Sequence, residues 1–294
     1  MIADFVAAQN ANGMPDIRLV DRAEALEIVP GLNDRVVAGS YSPEDGHANP
    51  PRTTQAVAAA AQRHGAQYRM QTQVVALLQD GERVIGVRTA DGEEIHAAET
   101  VLAAGAWSDA IARTIGLRIP VHAYALQMLL STPAEAHVLK PVIGSIGRQL
   151  SLKQLPTGEF FLGGGWLGTP SADLSGYTMR DEARDGNWAA ATGLLPAVGR
   201  QTVGQRWCGL EAESIDGVPF IGRVPGIESL TIAVGFSGHG FAISPAVGRA
   251  VADLVAGQRV PELDGLSPAR ISQWSAAEIE HYVTTPTREH ALAG

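Results

Sequence analysis

The chain has 294 residues, of which 45% are apolar and 18% are charged, and its formal net charge is −9 at pH 7. The apolar share excludes an intrinsically disordered chain, and the negative charge argues against nucleic-acid and anionic-membrane surfaces, which need clustered Lys and Arg. The single cysteine, Cys208, allows no intrachain disulfide and favours a cytoplasmic protein, and we expect neither a membrane span nor, because the histidines lack ligand spacing, a metal site.

The first predicted elements are two helices and a set of antiparallel strands. Residues 21–29 form the first helix, with Asp21 as its N-cap, and the Ala-rich residues 53–64 form the second. The period then changes, because Val74–Leu78, Val84–Thr89 and Glu94–His96, which alternate or are apolar, are separated by Asp80-Gly81 and Asp91-Gly92. These two Asp-Gly pairs predict tight turns between antiparallel strands.

A strand, a glycine and a helix follow. Residues 100–105 (Thr-Val-Leu-Ala-Ala-Gly) predict a buried strand that stops at the glycine, and Ser108 or Asp109 is the expected N-cap of a helix that ends near Ile115. The small residues at the strand end would let a flat ligand approach the backbone. Plain packing is the alternative.

The middle of the chain differs from what precedes it. Strands at 125–131 and 160–164 and a helix at 181–195 predict an antiparallel α+β region. Residues 163–168 (Gly-Gly-Gly-Trp-Leu-Gly) match the dinucleotide fingerprint G-x-G-x-x-G, but no amphipathic helix follows them. We therefore interpret them as a Gly-rich strand end.

The α/β pattern returns near the C-terminus. Leu230–Val234 predicts a strand, Gly235–Gly240 a Gly-rich turn, and residues 244–256 a helix with Ser244 as N-cap and Pro245 at the first position. Unpaired N–H groups at such a turn favour an electron-rich ligand group. A tight turn without a ligand is the alternative.

Two acidic residues and one histidine are candidates for chemistry. Glu211 and Glu213 alternate in a predicted strand, so their side chains share a face and form a candidate acid/base pair; a solvated strand face is the alternative. His239 stands between two glycines and is a candidate to reach a cleft, with a structural role as its alternative.

Six segments, taken in order, resemble a known family. They are Pro43-Glu-Asp-Gly-His-Ala-Asn-Pro50, Leu102-Ala-Ala-Gly-Ala-Trp-Ser108, Ser151-Leu-Lys-Gln154, Trp207-Cys-Gly-Leu-Glu211, Asp216-Gly-Val-Pro-Phe-Ile-Gly222 and Gly235-Phe-Ser-Gly-His-Gly-Phe241. The series resembles the D-amino acid oxidase-like (DAO) superfamily of FAD-dependent oxidoreductases. Within it the chain looks most like glycine oxidase and the β-subunits of sarcosine oxidase, opine oxidase and hydrogen cyanide synthase.

The resemblance implies an α/β fold that joins an incomplete Rossmann-type FAD domain to an α+β antiparallel-sheet substrate domain. We expect the FAD-binding region in residues 42–117 and 207–270 and the substrate or cap domain in residues 1–41 and 118–206. Residues 271–294 form a C-terminal tail whose end is expected to fray.

One part of the family pattern is absent. Family members open with a βαβ unit that carries G-x-G-x-x-G, and nothing before residue 40 has that pattern. We therefore expect a truncated member, one half of a split flavoprotein, or a product of a misplaced start. A partner subunit that supplies the dinucleotide-binding unit or accepts electrons is expected in the second case.

The resemblance also implies roles for individual residues toward a non-covalently bound FAD. The resemblance implies that the backbone near Val74 lies against the adenine. The other expected FAD contacts are Ala103, Ala104, Gly105, Trp107, Phe236, Ser237, Gly238, His239, Gly240 and Phe241. His47 is displaced from the position at which related β-subunits tether FMN, where Pro50 stands, so no covalent flavin is expected.

The chain departs from the family pattern where the substrate is held. Glycine oxidase-type enzymes place an Arg after the Trp-x-Gly-Leu segment and a second Arg in the flavin loop, and those positions align with Glu211 and Gly238. This departure favours a secondary amine or an opine-like ligand over a simple amino acid as the substrate. Glu211, His239 and Gln154 are the expected substrate-pocket residues.

The expected function follows from these residues and the resemblance. It is oxidation of a C–N bond of an amine, amino acid or opine-like derivative by hydride transfer to flavin N5. The alternatives are a truncated or split subunit that needs a partner chain to bind FAD, and a small-molecule binding protein without redox chemistry.

Overall fold

The computed structural model describes residues 2–285. Its helices are α1 (Ile2–Ala11), α2 (Arg22–Ile28), α3 (Pro50–Arg63), α4 (Ser108–Ala112), α5 (Asp181–Leu194), α6 (Gly240–Val255) and α7 (Ala276–Thr284). Its strands are β1 (Arg18–Asp21), β2 (Ala38–Tyr41), β3 (Val74–Asp80), β4 (Arg83–Thr89), β5 (Glu94–His96), β6 (Thr100–Leu102), β7 (Val121–Ser131), β8 (Ile143–Gly144), β9 (Ser151–Gln154), β10 (Phe160–Gly163), β11 (Thr169–Pro170), β12 (Tyr177–Thr178), β13 (Val203–Ser214), β14 (Phe220–Arg223) and β15 (Leu230–Val234). Among these helices, none combines the length and the apolar composition needed to cross a membrane.

The chain divides into two compact units. Unit 1 comprises residues 1–49, 126–169 and 178–209, and unit 2 comprises residues 50–125, 170–177 and 210–294. The strands β7 and β13 run across these boundaries. Which segments bind FAD and which bind substrate stays a prediction.

The apolar core of unit 1 packs against one face of an antiparallel sheet. The strand order is β13-β7-β10-β9-β8, and in β9 and β10 the alternate residues Leu152, Phe160 and Leu162 are fully buried. They pack with Ala191 and Leu194 of α5 in one apolar cluster. Alternation therefore leaves the other face of β9 and β10 to be lined by residues such as Lys153 and Phe161, which are half-buried.

Unit 2 contains two small sheets around a second cluster. The first has the order β14-β15-β6, with β15 antiparallel to β14 and parallel to β6, and the second is the antiparallel meander β3-β4-β5. Their cluster includes Leu77, Leu102, Phe220 and Ile232. The two predicted Asp-Gly turns of this region lie where the meander changes direction.

Several sequence predictions are confirmed. Asp21 caps α2 by accepting a hydrogen bond from the Glu24 N–H at 2.9 Å. No helix follows the fingerprint-like residues 163–168, which lead instead into β11. Gly164 is required there, because its φ is +116° and a Cβ would lie 2.4 Å from the Leu150 nitrogen.

The predicted start of α6 is wrong by one turn. The helix begins at Gly240, so Pro245 lies inside it and Ser244 is not its cap. Proline cannot donate to the carbonyl four residues back, which is that of Phe241. The Ser244 hydroxyl donates to that carbonyl instead, at 2.9 Å, so the helix continues through the proline.

The predicted cap of α4 is also wrong, since neither Ser108 nor Asp109 caps the helix. Asp109 is 4% exposed, and its carboxylate accepts hydrogen bonds from the Ile119 N–H at 2.8 Å and from the side chains of Arg113 and Arg118. Both carboxylate oxygens are therefore engaged in charge-assisted hydrogen bonds and in the bond from the Ile119 N–H, and not at the helix N-terminus.

The segment predicted to be a tail is partly built into unit 2. A reciprocal capping box between Ser275 and Glu278 starts α7, and Ile279 and Tyr282 of this helix are buried. The end of the tail, which was expected to fray, comprises residues from 286 onward and lies outside the described residues.

Candidate functional site

The turn between β15 and α6 is the centre of the candidate site. Gly235, Ser237 and Gly238 have φ values of +73°, +51° and +87°, so the chain reverses sharply before the helix. The Ser237 N–H donates to the Ala212 carbonyl at 3.2 Å, and the Ser237 hydroxyl accepts from the Ser214 N–H at 3.1 Å. These bonds fix the turn against β13.

Glu211 of β13 reaches the same turn. Its carboxylate accepts a hydrogen bond from the Gly238 N–H, and the space beside Gly238 is otherwise open, since a Cβ there would meet only the Glu211 Oε1, at 3.9 Å. Burial raises the pKa of Glu211, opposed by the Gly238 hydrogen bond and by His239. The carboxyl group is therefore a half-buried acid whose charged form is only partly compensated.

Glu213 lies two residues further along β13, as predicted, but it does not belong to a fully solvated face. Its Oε2 is buried and has no hydrogen-bond partner, and the residue bridges to Phe236 across the turn. Close by, the Tyr282 hydroxyl donates to the Ser214 carbonyl at 3.0 Å. Burial, followed by the charge of Glu213, raises the pKa of Tyr282.

Tyr282 is a site neighbour that the sequence reasoning missed. The signal that identifies its helix is the Ser275-x-x-Glu278 capping box, which was present in a segment interpreted as tail.

The end of β6 presents the small residues expected there. Ala103 is exposed and Gly105, at φ +53°, has nothing within 4 Å of where a Cβ would lie. Trp107 is 43% exposed, and its indole N–H donates to the Leu174 carbonyl at 3.3 Å. Val74 is half-buried at the start of β3. These residues leave backbone accessible from the solvent side of unit 2.

His239 is the N-cap residue of α6, and its side chain makes no capping hydrogen bond. The residue is exposed, beside Gly238 and Glu211 in the turn. No group of three or more His, Cys, Asp or Glu in residues 2–285 has an arrangement that could hold a metal ion.

Gln154 belongs to β9 of unit 1. It is 3% exposed, and its amide makes four hydrogen bonds: the carbonyl accepts from the N–H groups of Val138 and Leu139, and the NH2 donates to the carbonyls of Ala136 and Gly158. An amide has two donors and two acceptor sites. Its hydrogen-bonding capacity is therefore used by the fold, and we leave it out of the proposed site.

The comparison with known proteins identifies the family. The family model described as "DAO: FAD dependent oxidoreductase" matches residues 2–254. The chain belongs to the DAO family of FAD-dependent oxidoreductases. A glycine oxidase of Pseudomonas aeruginosa is 33% identical over 244 residues, which are 82% of this chain and 64% of that protein. The chain thus spans less than two thirds of that relative's length.

Two further relatives have related names. The β-subunit of a sarcosine oxidase from Arthrobacter is 28% identical over 267 residues, covering 88% of this chain and 64% of that protein. The crystal structure of an L-proline dehydrogenase from P. horikoshii matches with a TM-score of 0.82 and 31% identity, over 90% of this chain and 71% of that one. The predicted DAO-type fold is confirmed.

The described residues of this DAO-family chain fit one part of FAD. The N–H groups of Gly240, Phe241 and Ala242 have no partner inside the helix, because they belong to its first turn, and no side chain caps them. Together with the helix dipole they form a donor set for an electron-rich edge such as the flavin pyrimidine carbonyl. Residues 2–49 contain helices and the antiparallel pair β1–β2, so they supply no βαβ cradle for the pyrophosphate.

Proposed function

We propose that this chain is part of an FAD-dependent oxidoreductase that oxidises a C–N bond of an amine, amino acid or opine-like derivative. The observation that supports the proposal most directly is the uncapped N-terminus of α6 behind the Gly-rich turn. FAD, when bound, supplies the two-electron acceptor for the reaction. The names of the relatives, a glycine oxidase, a sarcosine oxidase β-subunit and an L-proline dehydrogenase, support the amine or amino acid class of substrate.

In this proposal the chain itself positions the two reactants. The first-turn N–H groups of α6 hold the electron-rich edge of the flavin, and the open backbone at Ala103 to Gly105 lies against the dinucleotide. Glu211 attracts the cationic nitrogen of the substrate before the reaction. Because burial raises the pKa of Glu211, its carboxyl group can also take a proton from the ammonium, and an amine must be neutral when its C–H bond is oxidised.

The first experiment is a visible absorption spectrum of the purified chain with and without added FAD, followed by acid release of the chromophore. We expect flavin bands and a flavin freed by acid, as a non-covalent cofactor requires. A protein that shows no flavin bands after incubation with FAD and removal of the unbound FAD would contradict FAD binding by the isolated chain.

A variant tests the role of Glu211. Glu211→Arg should lose turnover of amines that carry no carboxylate, because the introduced guanidinium would repel the ammonium group of the substrate. Glu228→Arg, at an exposed position of unit 2, is the control and should leave turnover unchanged. Unchanged turnover in Glu211→Arg would remove this residue from the site.

A second candidate is that this chain binds FAD only together with a dinucleotide-binding βαβ unit. Two observations favour it. Strand β6 is the edge of its sheet in the described residues, and neither α3 nor α6 buries any residue. The open edge of a sheet is a place where another strand can add. The candidate therefore predicts that a βαβ unit adds its first strand to β6.

Coexpression tests this candidate. A βαβ unit carrying G-x-G-x-x-G, either fused before residue 1 or supplied as a separate chain, should copurify and should restore flavin bands that the chain alone lacks. Full flavin content without the added unit would contradict the candidate.

A further inference from the structure

We propose that Tyr282 of α7 is a positioning residue for the candidate site. Its hydroxyl holds one peptide group of β13, this group holds Ser237, and Ser237 brings the Gly238 N–H to the Glu211 carboxylate. The inference rests on the proposed function for the use of this turn. It goes beyond that function by giving a role to α7, which lies past residues 2–254 that the family model matches.

Tyr282 is a buried donor on the backbone of β13. It is 6% exposed, and its hydroxyl donates to the Ser214 carbonyl at 3.0 Å and lies 3.4 Å from the Glu213 carbonyl. The His122 ring meets the Tyr282 ring edge to face, with 6.1 Å between centroids. Burial and the charge of Glu213 raise the pKa of Tyr282, so the hydroxyl keeps its proton and remains a donor.

The peptide group between Glu213 and Ser214 connects this donor to the turn. A trans peptide group is planar and directs its C=O and its N–H to opposite sides. Its carbonyl, which is that of Glu213, faces the Tyr282 hydroxyl. Its N–H, which is that of Ser214, donates to the Ser237 hydroxyl at 3.1 Å. The tyrosine and the serine therefore act on the two ends of one rigid group.

Ser237 depends on such support. Its φ of +51° is a conformation that residues other than Gly adopt at a cost. The Ser237 hydroxyl accepts from the Ser214 N–H and donates to the Gly235 carbonyl at 3.1 Å, which closes the turn on itself. The peptide group that follows Ser237 carries the Gly238 N–H, and this N–H donates to the Glu211 carboxylate. The backbone angles of Ser237 therefore decide where the Gly238 N–H points.

Helix α7 has other contacts that hold it in place. Its capping box is formed, Ile279 is 4% exposed, and the Arg118 guanidinium donates to Glu280 at 2.7 Å. The Ser214 carbonyl also accepts a hydrogen bond from the Gly217 N–H, at 3.0 Å. Removal of the tyrosine hydroxyl alone therefore leaves α7 docked and the carbonyl occupied, and its effect on the turn can be measured in a folded protein.

The test measures the pKa of Glu211, because the Gly238 hydrogen bond lowers this pKa and the pKa therefore reports on the turn. The full chain, labelled with 13C at the side-chain carboxyl carbons of its glutamates, is titrated by NMR without flavin or substrate. The signal that is lost in Glu211→Gln assigns the residue. The other groups that act on the Glu211 carboxyl are His239 and Glu213, and both are retained in Tyr282→Phe.

We expect Tyr282→Phe to raise the pKa of Glu211 by at least about 0.5 pH unit, a fraction of what a hydrogen bond to a charged group contributes. Ile279→Ala is the matched control. It removes buried apolar surface from the same helix and keeps the hydroxyl, so it should lower the stability and leave this pKa unchanged. An unchanged pKa in Tyr282→Phe, or an equal shift in Ile279→Ala, would overturn the positioning role.

Two further variants test the path of the effect. Ser237→Ala should raise the pKa of Glu211 as well, and Tyr282→Phe added to it should add little, because both remove the same connection. Additive shifts would refute a path through Ser237. Tyr282 also lies close to the charge of Glu213, so Tyr282→Phe is repeated in Glu213→Gln. The shift should persist there, and its loss would assign the effect to that charge and overturn the role of the turn.

The NMR titration is independent of turnover. If the proposed function also holds, the acid limb of the kcat/KM profile, along which Glu211 becomes the charged base, should move to higher pH by the same amount in Tyr282→Phe. A pKa shift in a protein that oxidises no amine would refute the proposed function and keep the positioning role. A titration without the shift would refute the positioning role whatever the protein oxidises.

Discussion

Helices α5 and α6 have similar lengths but differ in how many of their residues are buried. The polar α5, with four charged residues among fourteen, buries Ala183, Asn187, Ala191 and Leu194. The more apolar α6, with two charged residues among sixteen, buries none. Its later residues, including Val251 and Leu254, are half-buried against β14 and β15, but Phe241 at its start is 46% exposed. Burial is thus decided by the neighbours that each helix finds and not by its composition.

Two polar groups show a related difference. The Gln154 amide of unit 1 satisfies four backbone groups, whereas in unit 2 the first N–H groups of α6 have no cap. The difference belongs to these groups and not to the units, because buried polar atoms without a hydrogen-bond partner occur in both, at Asn187 of α5 and at Glu213 of β13. The following experiments would break or sharpen that contrast.

The largest difference in unfolding free energy is expected when a carboxylate is introduced into each of the two helices. Ala191→Asp buries a carboxylate in the apolar cluster of unit 1 and should cost about 3–5 kcal/mol of unfolding free energy. Ala246→Asp, at an exposed position of α6, should change it by no more than about 0.5 kcal/mol. Urea unfolding followed by circular dichroism measures both, and equal losses would mean that α6 is packed after all.

Gln154→Leu is expected to come second. It leaves the N–H groups of Val138 and Leu139 and the Ala136 carbonyl without the Gln154 amide, which should cost about 2–4 kcal/mol; the Gly158 carbonyl still accepts from the Ala134 N–H. Gln205→Leu, at an exposed position of β13, is the control and should be near neutral. A Gln154→Leu protein of unchanged stability and altered substrate preference would return Gln154 to the site.

Two glycines of the α6 region should respond in opposite directions. Gly238→Ala forces a side chain into φ +87° and should cost about 1–2 kcal/mol, because the space is open and the cost is conformational. Gly248→Ala, inside α6 with nothing within 4 Å, should stabilise by about 0.5–1 kcal/mol. Thermal unfolding compares them, and stabilisation by both would show that the turn does not hold its positive φ.

The smallest effect is the pH dependence of Glu211. A folded-state pKa above the unfolded value means that ionisation of this carboxyl opposes folding. The penalty is absent below the unfolded pKa, grows as pH rises and is complete above the folded pKa. Glu211→Gln should therefore be slightly more stable than the wild type at pH 7 and equal to it in acid, with Glu228→Gln as the exposed control. A variant less stable at pH 7 would show that the charged form is favoured.

The elements with strong local signals were predictable. The Asp21 cap, the Asp-Gly turns and the strand before Gly235 follow from residues within a few positions of each other. The start of α6 was not, because Pro245 is a signal for a first turn and only the Ser244 hydroxyl on the Phe241 carbonyl shows how the helix passes through it. Asp109 was misplaced for a similar reason, since its arginine partners are recognisable only once α4 is folded.

By itself the sequence determined the family, the α/β fold with its antiparallel sheets, and the turn at Gly235–Gly240, because each depends on residue order and on local backbone preferences. Only the tertiary structure decided which side chains are already occupied. It gave the Gln154 amide four backbone hydrogen-bond partners, placed the Glu211 carboxylate on the Gly238 N–H, and set the Lys153 ammonium over the Phe161 ring. Hydrogen-bond satisfaction and burial are properties of neighbours distant in the chain, and no local pattern encodes them.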